Sequence, residues 1–384
     1  MTCLFPLRGL IHADSVLRHA GPYLTIPVIH LSLALFLLHT ESNSLGGSIP
    51  PEIGHLQELL SIELQQNMIE GSIPTTVGLL TSLQRMTLYD NSLTGTIPTE
   101  IGFLTDMRSF DVEINIMWGP IPTEIGRLTG LEVIYVSNNN DLDGPIPSEM
   151  GLLTNLRLFD AGYNRFTGII PTEFVNLVGL TSLGLFNNEL QGNLTETMDY
   201  LPDSLTGLLL AHNAFKGAIP PSITDKTSLA FLNLRGNQLG GSLPSEMGDL
   251  TRLRQIDLQE TSLIGPIPSS IGQLVNLELL NVGLNEMTST LPMSMGNLRS
   301  LRQLDLSENR FLGSPGAVLA SVDSLQLVAL QNNPWSELIT LCQRSPAIPD
   351  VNGNSCEEPD FYECPCCTFC CNSPPFEVRR CESV

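Results

Sequence analysis

The chain has few basic residues, and their scarcity excludes one large class of partner. Its 384 residues contain 18 Lys and Arg against 40 Asp and Glu, which gives a formal net charge of −22. Nucleic acid carries a dense negative charge and would be repelled by such a surface. We therefore expect no nucleic-acid partner.

Charged residues of both signs are also scarce, and this excludes an acidic disordered chain. They make up 15% of the sequence, whereas hydrophobic residues make up 42%. Disordered chains stay unfolded because they lack enough apolar surface to bury. The composition therefore predicts a folded protein with a substantial core.

The sequence lacks the motifs and the histidine clusters that most enzymes need. It has no Gly-x-x-x-x-Gly-Lys loop, no His-Arg-Asp segment and no Asp-Phe-Gly segment, and its six histidines are scattered. Histidines scattered in this way do not favour a catalytic triad or a histidine metal site. The recurring aspartates Asp111, Asp160, Asp257 and Asp305 fall in one solvent-facing column, where a polar residue is simply the soluble choice. We expect no catalytic residue, no metal site and no cofactor.

What the chain does contain is a repeat of about 24 residues. Pro50, Pro74, Pro98 and Pro122 follow one another at that spacing, and the same pattern continues to about Trp335. The unit Leu80–Gly102 reads Leu-xx-Leu-xx-Met-x-Leu-xx-Asn-x-Leu-x-Gly-x-Ile-Pro-xx-Ile-Gly. No single unit of this length can bury its apolar side alone, so the units must stack.

Each repeat predicts one short strand and one structural asparagine. Met86 and Leu88 alternate with polar residues, so they point inward from a strand while their neighbours face outward. The asparagine three residues later offers amide donors and an acceptor to a turning backbone inside the coil. We predict a structural ladder of these side chains: Asn67, Asn91, Asn115, Asn139, Asn164, Asn188, Asn213, Asn237, Asn285, Asn309 and Asn333.

This repeat resembles the plant-type leucine-rich repeat, found in ectodomains of receptor-like kinases, in receptor-like proteins and in polygalacturonase-inhibiting proteins. The resemblance implies an α/β repeat fold, a curved right-handed solenoid with one parallel strand per repeat on its concave face. It also implies extracellular recognition as the usual task, with a secreted or cell-surface location. The resemblance does not identify a ligand, because proteins that share this fold have different binding sites.

The sequence divides into three parts, with the solenoid predicted over residues 44–335. Residues 1–43 contain the apolar run Ile26–Leu38 behind basic residues, which fits a signal peptide or an anchor, but the same run also fits a degraded first repeat. Residues 336–384 form a predicted cap and cysteine-rich tail.

Eight of the nine cysteines lie in that tail. Their even number favours disulfides in an oxidising compartment, while a zinc site or acylation that tethers the tail to a membrane are the alternatives. The run Cys364–Cys371 resembles tails of predicted secreted leucine-rich repeat proteins of diatoms. The disulfide candidates are Cys342, Cys356, Cys364, Cys366, Cys367, Cys370, Cys371 and Cys381.

Asn193 begins the sequence Asn-Leu-Thr, an acceptor for N-glycosylation, at a point where the usual proline is replaced. We therefore predict Asn193 as a glycosylation candidate.

The outward strand positions of the middle repeats carry a run of large side chains. Aromatic residues bury much area with little loss of rotamer freedom, so an exposed run of them is typical of a ligand platform. Some of these rings could instead only cover neighbouring strands. The predicted ligand-binding residues are Tyr89, Tyr135, Tyr163, Phe186, His212, Phe231 and Arg235.

Acidic residues weight the N-terminal half of that face, so a basic partner would be steered there. The resulting prediction is a noncatalytic, receptor-like or coreceptor-like module that binds a protein, a peptide or a cell-wall glycan on its concave face, with a partner receptor chain. The alternatives are an inhibitor of a secreted hydrolase and a structural or adhesive wall protein.

Overall fold

The computed structural model describes residues 37–39, 43–336, 369–371 and 378–380. The chain forms two compact units, divided between Leu190 and Gln191. Each unit is built from the same repeat and is described by itself.

The N-terminal unit has a parallel sheet to which each repeat adds one strand of three residues. Neighbouring strands lie side by side without offset, so that Met86 pairs with Ile62 on one side and with Phe110 on the other. In sheet order, the strands are Leu37–His39, Ser61–Glu63, Arg85–Thr87, Ser109–Asp111, Val133–Tyr135, Leu158–Asp160 and Ser182–Gly184.

The hydrophobic pattern of the repeat decides which side of this sheet is buried. The inward residues Met86, Phe110, Ile134 and Phe159 are at most 2% exposed. Burying side chains of this size stabilises the fold by about 1.5–3 kcal/mol each. The strand residues that alternate with them point to the other side, which we call the outer face of the sheet.

On the far side of each coil, short strands and 3₁₀ helices return the chain to the next repeat. The helices begin directly after the repeat proline, because Pro98 and its counterparts hold an extended backbone that leads into a turn. The short strands are Gly46–Ser48, Met68–Gly71, Ser92–Leu93, Trp118–Gly119, Asp141–Pro145 and Arg165–Gly168, and the 3₁₀ helices are Pro51–His55, Thr75–Leu79, Thr99–Phe103, Thr123–Arg127, Ser148–Leu152 and Thr172–Asn176.

Adjacent 3₁₀ helices approach so closely that only glycine fits between them. A Cβ atom at Gly102 would lie 2.8 Å from the carbonyl oxygen of Glu124 in the next repeat. The glycine that follows the buried apolar residue in most of these helices is therefore a packing requirement of the stacked coils. Val175 and Thr224 are exceptions.

The C-terminal unit repeats this plan. Its parallel strands are Gly207–Leu209, Phe231–Asn233, Gln255–Asp257, Leu279–Asn281, Gln303–Asp305 and Leu327–Ala329. Its remaining strands are Ala214–Lys216, Ile264–Gly265, Glu286–Ser289 and Arg310–Phe311, and the strand Glu189–Asn193 contains the boundary between the units. Its helices are the α-helices Leu194–Tyr200 and Gly316–Leu319 and the 3₁₀ helices Pro221–Asp225, Met247–Asp249, Ser269–Gln273 and Met293–Asn297.

Trp335 covers the apolar end of the last described repeat. Its ring stacks on Phe311 with the ring centres 5.8 Å apart, and its indole nitrogen donates a hydrogen bond of 2.8 Å to the carbonyl of Leu330. Beyond it, Phe369–Cys371 and Val378–Arg380 form an antiparallel pair of strands.

One turn position per repeat takes the left-handed backbone conformation, three residues after the strand ends. Asp90, Ile114, Asn138 and Tyr163 occupy this position in the N-terminal unit, with φ between 51° and 56°. The turn aims these side chains differently from the strand residues before them. With one parallel strand per repeat in both units, the predicted leucine-rich repeat architecture is confirmed.

Candidate functional site

The outer face of the N-terminal sheet carries a row of three side chains that we call the acidic row: Asp111, Tyr135 and Asp160. Strand register places Asp111 directly beside Tyr135, and Tyr135 directly beside Asp160. Neighbouring parallel strands are about 4.8 Å apart, so the phenol ring stands between two carboxylates. Glu113 follows two residues after Asp111 and accepts a hydrogen bond of 3.2 Å from the side chain of Asn138.

Backbone hydrogen bonds fix both aspartates of the acidic row. Asp111 Oδ1 accepts the backbone N–H of Glu113 at 3.1 Å, and Asp160 Oδ1 accepts that of Gly162 at 3.0 Å. Within the described residues, the second oxygen of each carboxylate makes no hydrogen bond. These oxygens are the acceptors that the row offers.

Burial and like charge make the carboxylates of the acidic row hard to ionise. Burial raises the pKa of Asp111 from 3.8 to about 6, the backbone N–H of Glu113 opposes this, and the charge of Glu113 adds to it. Burial likewise raises the pKa of Asp160, opposed by the N–H of Gly162 and assisted by Glu113. The pKa of Tyr135 is raised by burial and then by the charges of Asp111, Asp160 and Glu113. None of the ion pairs in the part of the chain that the structure describes involves Asp111, Glu113 or Asp160.

An aromatic pair formed by the exposed Tyr163 and the half-buried Phe186 lies next to the acidic row. The rings of Tyr163 and Phe186 meet edge to face, with centres 5.3 Å apart and planes at 87°. Phe186 lies over Gly162, where a Cβ atom would be 2.6 Å from the ring. Glycine at that position is therefore required for the pair to form. Tyr163 remains 47% exposed, so the pair offers apolar area to a ligand.

Tyr89 lies one strand away from the acidic row. It is half-buried and stands level with Glu113, because the N–H of the next residue, Asp90, donates to the carbonyl of Glu113 at 3.0 Å. All four aromatic residues predicted for this part of the face therefore lie on the outer side of the N-terminal unit.

The C-terminal unit carries the other three residues of the predicted site, with a different charge pattern. Phe231 is 40% exposed on its strand, His212 lies in the left-handed turn and Arg235 is half-buried. The pKa of Asp257 is raised by burial; the N–H of Gln259 and the charges of Arg235 and His212 oppose the shift, and the charge of Asp305 adds to it. Basic side chains thus act on Asp257.

The sequence pattern did not separate strand positions from turn positions. It placed all these residues on outward strand positions, but only Tyr135 and Phe231 lie within strands. The others lie past the strand, either two residues past it (Tyr89, Phe186 and Arg235) or three residues past it in the left-handed turn (Tyr163 and His212). The fixed place of this turn, just before each ladder asparagine, is the signal that would have distinguished them. No sequence pattern indicated that Gly162 makes room for the ring of Phe186 or that Ser137 is buried.

The asparagines of the ladder bond the backbone inside each coil. Asn115 donates to the carbonyls of Leu88 and Val112, both at 3.1 Å, and its Oδ1 accepts the N–H of Leu93 at 2.9 Å. Every asparagine of the ladder donates at least one such bond. At the gap in the ladder, the hydroxyl of Thr261 donates to the carbonyl of Leu258 at 2.6 Å.

Asn193 is exposed at the start of the helix Leu194–Tyr200. Its Oδ1 accepts the N–H of Thr195 at 3.0 Å, and the hydroxyl of Thr195 donates to the carbonyl of Ala218 at 3.2 Å. Its role as a glycosylation site stays a prediction.

The predicted disulfides fall outside the described residues, except that the backbones of Cys370 and Cys371 belong to a strand. No cluster of possible metal ligands occurs in the part of the chain that the structure describes. Among the described helices, none is both long enough and apolar enough to span a bilayer.

Comparison with known proteins finds the leucine-rich repeat at four places along the chain. The family model described as Leucine Rich Repeat matches residues 82–104, 155–177, 228–250 and 300–321. No curated protein sequence matches the chain.

Solved structures of plant receptors are similar to this chain. The plant peptide hormone receptor RGFR1, solved in complex with RGF2, is 33% identical with a TM-score of 0.75, over 78% of this chain and 48% of the receptor chain. The ectodomain of the Arabidopsis thaliana membrane receptor kinase GASSHO1/SCHENGEN3, in complex with CASPARIAN STRIP INTEGRITY FACTOR 2, is 31% identical with a TM-score of 0.73, over 77% of this chain and 35% of that one. This chain thus spans half or less of the length of these two receptors.

A bacterial relative is matched over more of its length. The leucine-rich repeat protein LIC12759 of Leptospira interrogans is 30% identical with a TM-score of 0.55, over 69% of this chain and 70% of the bacterial one. The chain therefore belongs to the leucine-rich repeat proteins, and its repeats are of the plant type.

Proposed function

We propose that this protein is a noncatalytic, extracellular or cell-surface recognition module that binds a peptide or protein ligand on the outer face of its N-terminal sheet. The observation that carries the proposal is the Tyr163–Phe186 pair, in which Tyr163 is exposed and Phe186 lies over Gly162, next to the acidic row. Exposed aromatic clusters on soluble proteins usually mark a binding surface.

The similar proteins support this proposal by analogy. RGFR1 is a peptide hormone receptor solved in complex with RGF2, and GASSHO1/SCHENGEN3 is a membrane receptor kinase solved in complex with CASPARIAN STRIP INTEGRITY FACTOR 2. Carried to this chain, the analogy gives a receptor-like role and a peptide or protein ligand. A partner receptor chain belongs to the same proposal. His212, Phe231 and Arg235 are the proposed contact residues on the C-terminal unit.

The proposed binding is tested by panning phage-displayed random dodecapeptides against the immobilised full chain. We expect the wild type to enrich a peptide family and the double variant Tyr163→Ser, Phe186→Ser to bind it roughly tenfold or more weakly, since paired aromatics are typical hot spots. The matched control is Phe103→Ser, which removes an equally exposed ring, 54% accessible, from a 3₁₀ helix away from the sheet. Circular dichroism checks that each variant folds.

Three results would count against the proposal. A wild type that enriches no peptide contradicts a peptide ligand, and a double variant that binds like the wild type places binding elsewhere; the second result is also what a structural or adhesive wall protein predicts. The hydrolase-inhibitor alternative is tested separately by incubation with a secreted polygalacturonase, and a concentration-dependent loss of that enzyme's activity would replace the receptor-like role.

A further inference from the structure

Three acidic side chains converge on Tyr135 without a cation among them. Asp111 and Asp160 flank the ring in register, and Glu113 acts on the pKa values of both aspartates and of the phenol. The ion pairs in the described part of the chain involve other acids, such as Glu63 with Arg85. The acidic row therefore holds uncompensated negative charge in a partly desolvated place, where that charge is costly.

A buried hydroxyl beside the acidic row also lacks a partner. Ser137 is 1% exposed, and its hydroxyl makes no hydrogen bond within the residues that the structure describes. Strand alternation turns Ser137 to the outer face, the same side as Tyr135, and its repeat neighbours at that level are Glu113 and Gly162. A buried hydroxyl left without a partner costs free energy, which a hydrogen-bonding group brought by a ligand would recover.

The shape and chemistry of the acidic row fit a basic side chain. A cation placed over the face of Tyr135 meets the negative potential of the ring and has carboxylate oxygens on both sides. A guanidinium is planar, stacks on aromatic rings and donates several hydrogen bonds in one plane, so it uses the ring and the carboxylates together better than an ammonium does.

We propose that Asp111, Tyr135 and Asp160, with Glu113 and the hydroxyl of Ser137, form a subsite that binds a basic side chain of the peptide ligand, with arginine preferred over lysine. This inference rests on the proposed function, since it assumes a peptide on the same face. It adds the chemistry of one ligand residue and the five protein side chains that recognise it.

The C-terminal unit supplies a matched comparison for this subsite. Asp257 occupies the same strand position as Asp111 and likewise has a raised pKa, and its Oδ1 accepts the N–H of Gln259 at 3.2 Å. The guanidinium of Arg235 already acts on that carboxylate. A basic probe therefore has no reason to bind at Asp257, and Asp257→Asn is the control variant.

The subsite is tested with small probes and the full chain labelled with ¹³C-tyrosine, without any peptide. The probes are N-acetyl-argininamide, N-acetyl-lysinamide and the neutral N-acetyl-glutaminamide, each titrated at pH 7.5 and low salt. The Tyr135 resonance is assigned with Tyr135→Phe. We expect the arginine probe, and more weakly the lysine probe, to shift that resonance in a saturable way, and the glutamine probe to leave it in place.

Three variants separate recognition from folding. We expect Asp111→Asn with Asp160→Asn to weaken the arginine probe roughly tenfold or more, since both charge-assisted bonds are lost, and Asp257→Asn to change nothing. Ser137→Ala is expected to weaken the probe a few-fold without lowering the unfolding midpoint, because its hydroxyl has no partner to lose.

A Tyr135 resonance that ignores both basic probes would overturn the subsite, and so would a shift that survives in the double aspartate variant. A stronger response to lysine would overturn the preference for arginine. None of these results bears on peptide binding through Tyr163 and Phe186, so the subsite and the proposed function fail separately.

Discussion

Asp111 is a residue whose environment works against its charge. Burial raises its pKa to about 6, so the folded protein stabilises the protonated acid, yet at neutral pH the carboxylate is ionised. Residues that reduce stability in this way are expected where function needs them. Ile114 is a second such residue, since a β-branched side chain is rarely found with a φ of 51°. Both lie at or beside the acidic row.

We predict that Asp111→Asn stabilises the protein at neutral pH. A carboxyl group with a pKa of 3.8 when unfolded and about 6 when folded contributes stability that is present below about pH 4 and lost as the pH rises to 6. The loss corresponds to about 3 kcal/mol at pH 7.5, which asparagine avoids because it carries no charge while its Oδ1 still accepts the N–H of Glu113. Denaturant unfolding at pH 7.5 and at pH 4 measures the difference.

The expected pattern is a gain for Asp111→Asn at pH 7.5 that shrinks toward pH 4. The control is Asp143→Asn, which changes an exposed aspartate and is expected to leave the stability unchanged at both values. If Asp111→Asn is less stable than the wild type at pH 7.5, the carboxylate of Asp111 stabilises the fold and the prediction is wrong.

At this scale, the sequence predicts which side chains face outward but not how they meet. Tyr135 and Asp160 are visible as outward residues because the apolar positions around them alternate. The position of Phe186 over Gly162 depends on packing between repeats, and the burial of Ser137 depends on the side chains around it. Neither is encoded in the period of the pattern.

At the scale of the element, the ladder asparagine is the part of each repeat that completes the backbone hydrogen bonding. The repeat that contains Asn164 is an exception. The amide of Asn164 donates to the carbonyls of Val136 and Ala161, as its counterparts do, but its Oδ1 is buried without a hydrogen-bond partner in the described residues. A one-residue insertion before Leu142 displaces the N–H that the regular spacing would bring to it.

We predict that replacing a complete ladder asparagine destabilises the protein more than replacing this incomplete one. Asn115→Ala leaves the buried N–H of Leu93 without a partner, while the carbonyls of Leu88 and Val112 keep other donors, so we expect a loss of about 3 kcal/mol. Asn164→Ala removes only bonds to carbonyls that keep other donors, and it is expected to cost about 1–2 kcal/mol. Denaturant unfolding of the two variants measures the loss in the free energy of unfolding for each. Equal losses would contradict the prediction, because the missing hydrogen bond to Asn164 Oδ1 would then make no difference.

The strands could be predicted from the sequence because nearly the same pattern recurs in each repeat. Apolar alternation predicts the strand, and the structure confirms the parallel sheets. The asparagine marks the turn after the strand, and the proline marks the start of the segment that leads to the next repeat. The left-handed turn before each asparagine was missed, because its residues, among them Asp90, Ile114 and Tyr163, share no composition.

At the scale of the whole molecule, the surface combines strong negative charge with few cations. With a net charge of −22, it attracts basic partners at a distance, and the attraction weakens as salt is added. An acidic chain that recognises an arginine or lysine would therefore use the same charge first to attract its ligand and then to bind it.

The proposed extracellular location carries a prediction at Asn193. The asparagine is exposed at the start of a helix, so we expect secreted protein to carry an N-glycan there and to lose the added mass after treatment with peptide N-glycosidase F. Thr195→Ser keeps the acceptor sequence and is expected to keep the glycan, whereas Thr195→Ala is expected to abolish it. Intact-mass measurement reads all three, and secreted wild type without the added mass contradicts the prediction.

The asparagine ladder also leaves the outer face free to vary. Because asparagines such as Asn91 and Asn115 bond the backbone of their own coil and of the preceding coil from within, the ladder does not depend on the identity of the outward side chains. Threonine, aspartate, tyrosine and glycine accordingly occupy the last strand position of different coils, at Thr87, Asp111, Tyr135 and Gly184. New specificities can arise one side chain at a time, which makes this architecture a natural starting point for grafting altered recognition.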